Sequence, residues 1–214
     1  MTRFIIIRHG LSVYNEARRF QGHLDIPLHA IGLEQADASA KYVLENYKVD
    51  RVYSSDLCRA SRTAQPIADG LGLPLELDKR LREIDMGLWQ GLGYDEAIAR
   101  FPETERIRKA CLGKLRYDGG ESYGDVMERV RAFADEVLAE NEGKTVVLAS
   151  HGGTIRAQFP PGWAMAPWRW HRCPSFPMPR SRWSASTATG SPSSCVTTPT
   201  IWPMSPSPIL NNLY

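Results

Sequence analysis

An α/β fold of three layers, with helices on both faces of a mostly parallel sheet, is predicted by three observations. Short strand-like runs alternate with helical stretches along residues 1–158. Two of those runs, residues 4–7 and 145–149, are continuously apolar rather than alternating, as in strands buried on both faces. Each run also ends in a histidine followed by glycine, His9-Gly10 and His151-Gly152. Ligands of open α/β sheets bind beyond the carboxyl ends of the strands.

The elements follow in order. Residues 4–7 (Phe-Ile-Ile-Ile) form the first strand. Residues 32–47 carry Leu33, Ala36, Ala40, Val43 and Leu44 at helical spacing. Residues 51–53 read as a short strand and 57–70 as a helix closed by Gly70. A single helical stretch then precedes a strongly amphipathic helix over 121–142, through Val126, Val130, Phe133, Val137 and Leu138. Residues 145–149 form the last clear strand, and strands alternating with helices imply a covered parallel sheet.

The chain of 214 residues, 43% hydrophobic and 23% charged, suits one globular domain. A formal net charge of +2 gives no reason to expect a nucleic acid or membrane partner. The N-terminal apolar run is too short for a signal peptide, and no segment is long enough to span a bilayer. Cys58, Cys111, Cys173 and Cys195 lack paired or zinc-type spacing, so free thiols and a cytoplasmic location are expected.

Composition breaks after Gln158. Residues 159–214 hold no Asp, Glu or Lys, yet contain 11 of the 15 prolines and 5 of the 6 tryptophans. Proline at that density forbids helix and central strand, while five tryptophans argue against ordinary disorder. Decoding one frame away, the stretch 177–184 permits Pro-Asn-Ala-Ser-Val-Thr-Val-Val, an alternating β-branched strand pattern. The expectation is a domain over 1–158 and an aberrant, poorly ordered tail over 159–214, read out of the ancestral frame. The fold would then be incomplete at its C-terminus.

The chemistry gathers at strand ends. Arg8 and His9 place a cation beside a nucleophile, and His151 closes a second strand of the same sheet. After residues 51–53, Ser55 or Asp56 can cap the next helix, which puts Arg59 in its first turn, where anions are favoured. His23 and His29 read as loop histidines, residues 103–108 as a solvated face, and Trp89 as core.

Arg8-His9-Gly10-Leu11-Ser12 with Asn15 resembles the signature of the histidine phosphatase superfamily, the phosphoglycerate mutase-like family. Tyr53-Ser54-Ser55-Asp56-Leu57-Cys58-Arg59-Ala60 resembles a second block of that family. The run from Leu81 to Gly91 around Glu83, and Ser150-His151-Gly152-Gly153, resemble two more. The four blocks stand in the family's order and cover residues 3–157.

The resemblance implies a fold of the phosphoglycerate mutase-like type and phosphomonoester hydrolysis of a small phosphorylated metabolite. His9 is the implied nucleophile, and Glu83 the proton donor that later activates water. Arg8, Arg59 and His151 are implied to surround the phosphoryl group, with Ser12, Asn15, Gln21, Gly22 and Gly152 contacting substrate. No metal or other cofactor is implied, and a homodimer stays open. His9 must be neutral to attack, which nearby Arg8 and Arg59 favour. Ile84-Asp85-Met86-Gly87 after Glu83 departs from the mutases' Asn-Glu-Arg-His-Tyr-Gly type of block and points to a phosphatase, similar to the broad-specificity and α-ribazole phosphate phosphatases. A cofactor-dependent phosphoglycerate mutase, or a damaged member that only binds phosphate, is the alternative.

Overall fold

A computed structural model describes residues 2–158. Strands β1 (Arg3–Arg8), β2 (Arg51–Ser54), β3 (Leu75–Leu77) and β4 (Thr145–Ser150) form one parallel sheet in the order β1-β4-β2-β3. The alternation of side chains along each strand builds the layers. Ile5, Ile7, Val52, Val147 and Ala149 pack with Ala40, Val43, Ala64, Ile67 and Ala68 on one face. Phe4, Ile6, Tyr53, Val146 and Leu148 meet Phe133 and Val137 on the other. The predicted three-layer α/β/α arrangement is therefore present.

Helix α2 (Ala30–Asn46) and α3 (Cys58–Leu71) cover the first face, and α6 (Tyr123–Glu140) the second. The apolar stripe of α2 differs from expectation. Gly32, Ala36, Ala40 and Val43 are buried, whereas Leu33 and Leu44 are exposed. Gly32 sets that rotation, because a Cβ there would lie 2.0 Å from the Leu11 carbonyl oxygen. The helix backbone lies directly on the turn after β1.

Beside the sheet, α4 (Tyr94–Arg100), α5 (Pro102–Ala110), the start of α6 and α7 (Gly152–Gln158) enclose a second core around Trp89, Phe20, Ile84 and Tyr117. Trp89 is fully buried there, as expected. The single helical stretch expected before α6 is two helices, because Pro102 disfavours helical geometry at Phe101 and starts α5 afresh. Glu105 is not on a solvated face; it is buried and paired with Arg108 and Lys109. Strand β3 escaped the sequence reading, since three residues carry too little periodicity. Cys58 is a free thiol as expected, and Cys173 and Cys195 lie outside the described residues. The out-of-frame tail and the incomplete C-terminus lie outside the described residues. Among the described residues no helix is long and apolar enough to cross a membrane.

Candidate active site

Register brings the site together. Arg8 pairs with Ser150 across β1 and β4, and Ser54 pairs with Ala149 across β2 and β4. Three strands thus end side by side, and the residues just beyond them share one crevice.

His9 extends β1 by donating its backbone N–H to Ser150 O at 3.0 Å. Its ring Nδ1 lies 2.7 Å from Gly10 O. A carbonyl only accepts, so Nδ1 holds the proton and the neutral ring keeps its lone pair on Nε2. Burial pushes the His9 pKa well below its ordinary value, with the Arg8 and Arg59 charges adding to that, against the Gly10 bond. The expected effect of the two arginines is present, and desolvation exceeds it. The turn is tight: Gly10 N–H donates to Thr63 Oγ1 at 3.1 Å, and a Cβ on Gly10 would lie 2.4 Å from Gly32 O.

His151 follows β4 fully buried, its ring centroid 5.1 Å from that of His9 and tilted by 56°. Neither of its ring nitrogens has a hydrogen-bond partner among the described residues. Burial, then Arg59 and His9, hold its pKa well below the usual imidazole value. Arg59, also fully buried, donates from Nη1 to Leu24 O and from Nη2 to Gly22 O, both at 2.8 Å. Its Nε–H is left without a partner among the described residues. Buried polar groups are ordinarily satisfied, so unpaired donors beside a neutral histidine suit the oxygens of an incoming anion.

The cap of α3 is not the expected one. Cys58 N–H donates to Asp25 Oδ1 at 2.6 Å, while Asp56 forms a bidentate pair with Arg82 and Ser55 Oγ accepts from Leu57 N. Asp25 therefore ties the loop that grips Arg59 to the helix that carries it.

Glu83 is nearly buried, 9% exposed, at the start of α7. Its Oε1 accepts from Ile84 N at 3.0 Å and Thr154 N at 3.1 Å, and its Oε2 from Gly153 N at 3.1 Å. A Cβ on Gly153 would fall 2.4 Å from Oε1, so the carboxyl group fits only because residue 153 is glycine. Thr154 Oγ1 also donates to Arg82 O at 2.6 Å. Gly153 lay within a recognised block, but neither it nor Thr154 was assigned a site role. Nothing in their spacing tells which carboxylate they meet.

The remaining expected residues line up as follows. Gly152 lies against Arg8, whose Nε would be 3.4 Å from an added Cβ. Ser12 is fully buried and caps the short helix α1 (Val13–Glu16), accepting from Asn15 N at 3.1 Å. Its Oγ also lies 2.7 Å from Gln21 Oε1, so Ser12, Asn15 and Gln21 form one hydrogen-bonded knot. Gly22 takes φ +53°, and an added Cβ would strike the Gln90 side chain. Among the described residues no group of three or more His, Cys, Asp or Glu could hold a metal ion.

The family model "Histidine phosphatase superfamily (branch 1)" matches residues 4–177. Phosphoserine phosphatase 1 of Hydrogenobacter thermophilus is 35% identical over 159 residues, 74% of this chain and 75% of that protein. Phosphoglycerate mutase-like protein 4 of Arabidopsis thaliana is 36% identical over 157 residues, 72% and 68% of the respective lengths. Among solved structures, a mycobacterial glucosyl-3-phosphoglycerate phosphatase superposes with a TM-score of 0.66 at 35% identity, covering 71% of this chain and 76% of its own. With two strand-end histidine rings 5.1 Å apart at their centroids and a fully buried arginine near both, the chain belongs to branch 1 of the histidine phosphatase superfamily.

Proposed function

We propose that this chain hydrolyses phosphomonoesters of small metabolites in two steps, with the phosphoryl group held transiently on His9. The lone pair on Nε2 attacks phosphorus, the P–O ester bond breaks, and Glu83 gives its proton to the departing oxygen. Glu83, now a carboxylate, takes a proton from water. The resulting hydroxide attacks phosphorus, the P–N bond breaks, phosphate leaves, and Glu83 is again protonated. Phosphoryl transfer needs positioning and charge stabilisation more than covalent help. Arg8, the free Nε–H of Arg59 and His151 supply that stabilisation, and a phosphoryl dianion between them favours the proton-bearing form of His151.

The observation that carries this reading is the His9 Nδ1–H bond to Gly10 O, which leaves the lone pair on Nε2 in a ring 5.1 Å from that of His151, near the unpaired Nε–H of Arg59. Ser12, Asn15, Gln21, Gly22 and Gly152 shape the rim and reach substrate in the same proposal. The phosphatase and not the mutase reaction is favoured by Ile84-Asp85-Met86-Gly87 after Glu83 and by relatives named for phosphoserine and glucosyl-3-phosphoglycerate. Cytoplasmic residence and a homodimer belong to the same reading, to be checked by fractionation and light scattering.

The test is turnover of p-nitrophenyl phosphate together with trapping of an acid-labile, base-stable phosphoprotein. His9→Ala is expected to abolish both. Turnover that survives His9→Ala overturns the mechanism, and phosphate binding without any trapped phosphoprotein supports the non-catalytic alternative. Transfer between phosphoglycerate isomers faster than hydrolysis supports the mutase instead.

A further inference from the structure

Glu83 stands on a segment with no regular backbone pairing. Residues 82–86 belong to neither helix nor strand, so no hydrogen-bond ladder fixes the height of the carboxyl group over the crevice. The N–H groups of Gly153 and Thr154 hold the carboxyl group itself, and side chains from two other parts of the chain hold the backbone that carries it. Arg129 of α6 donates from Nη1 to Arg80 O at 2.6 Å and Arg82 O at 2.9 Å, and from Nη2 to Glu83 O at 3.0 Å. One guanidinium thus gathers three carbonyls of the Glu83 segment. Its other edge is held by Glu121, with Nε to Oε1 at 2.9 Å and Nη2 to Oε2 at 3.0 Å. Glu121 in turn accepts from Asp85 N at 2.8 Å and donates its own N–H to Asp85 O at 2.9 Å.

A second donor to the same carbonyl comes from the loop that follows Gly22. His23 Nε2 lies 2.7 Å from Glu83 O, so that nitrogen carries the ring proton. The backbone N–H of His23 donates to Gln90 Oε1 at 2.5 Å. The carbonyls on either side of it, Gly22 O and Leu24 O, are the two that hold Arg59. His23 therefore spans the segment carrying Glu83 and the loop that orients the phosphate-facing arginine.

We propose that Arg129 and His23 are positioning residues for Glu83: acting through its backbone carbonyl, they set where its carboxyl group meets the leaving-group oxygen. The proposal rests on Glu83 being the proton donor. It assigns work to a histidine expected to be an ordinary loop residue and to an arginine outside every motif block. A lysine at 129 keeps the charge but cannot bridge three carbonyls and a carboxylate at once.

Leaving-group dependence separates positioning of an acid from general support of the fold. An alkoxide leaves poorly without a proton, whereas p-nitrophenolate leaves readily. The experiment compares kcat/KM on an alkyl phosphomonoester and on p-nitrophenyl phosphate for Arg129→Lys, His23→Ala and, as reference, Glu83→Gln. The parameter kcat/KM reports the transfer to His9. Glu83→Gln is expected to lose about 100-fold more on the alkyl than on the aryl substrate, the usual scale of general-acid help. Arg129→Lys and His23→Ala are expected to lose about tenfold more on the alkyl substrate, since misplacing a catalytic group is costly. Equal losses on both substrates in these two variants, with Glu83→Gln selective, overturn the positioning proposal. A Glu83→Gln variant without selectivity overturns the reading of Glu83 itself. Should Arg129→Lys fail to fold by circular dichroism, His23→Ala on its partly exposed loop decides by the same ratio.

Discussion

His9 and His151 are buried bases kept neutral by the fold, and acid should expose that. In the unfolded chain each takes a proton near pH 6.5, at about the ordinary value for imidazole. In the native state both pKa values lie well below that. Between the two values the unfolded chain binds more protons, so stability rises with pH. The contribution is complete above about pH 6.5 and is lost as pH falls through the window, by up to about 1.4 kcal/mol per pH unit for each histidine. Carboxylates held low by arginine, such as Asp56 beside Arg82, lose their contribution only in more acidic solution. The urea midpoint should therefore drop between pH 7 and pH 5, and His151→Asn should flatten that slope. A midpoint independent of pH across this range would contradict the burial of the pair. These two histidines were legible in the sequence because each follows a continuous apolar run and precedes glycine. Arg129 and His23 were not, since they bind the carbonyl of a residue 46 and 60 positions away, and no local pattern encodes such a partner.

Helix α2 shows how an element can follow its backbone rather than its largest side chains. Counting apolar positions placed Leu33 and Leu44 inside, yet the stripe that packs is Gly32, Ala36, Ala40 and Val43. Small residues let the helix axis come close to the turn that holds His9. Gly32→Ala should accordingly be harmful. Helix propensity alone would favour alanine by about 1 kcal/mol. A Cβ 2.0 Å from the Leu11 carbonyl oxygen cannot be relieved by a rotamer change, and overpacking costs about 1–3 kcal/mol even among movable side chains. The expected outcome is a lower melting temperature and a fall in kcat, because the displaced turn carries Gly10 and the acceptor for His9 Nδ1. A melting temperature raised by the substitution would show that the helix stands further off. Strands β1, β2 and β4 and helices α3 and α6 were legible from continuity and period. The second helical core was only partly so, because the break at Phe101–Pro102 divides it into pieces of 7 and 9 residues.

At the scale of the molecule, the anion site and the fold depend on one another. Unsatisfied buried nitrogens on Arg59 and His151 exist only when three strand ends are aligned, so the proposed site would take phosphate in the native state and not in the unfolded one. Phosphate or vanadate at a hundred times its dissociation constant should stabilise the chain by about 2.7 kcal/mol. Differential scanning fluorimetry with and without the anion measures this, and an unshifted melting temperature would mean that the crevice does not take the anion. The same alignment has a consequence in time. Strand β4 sits between β1 and β2, so β1 has no neighbour in the sheet until residues 145–150 arrive. Contacts between residues so distant in sequence are slow to form. On the proposed mechanism, a ribosome-bound chain that already displays Arg8, His9, Arg59 and Glu83 is still chemically silent. The proposed nucleophile is made first and armed last, when β4 threads between its neighbours.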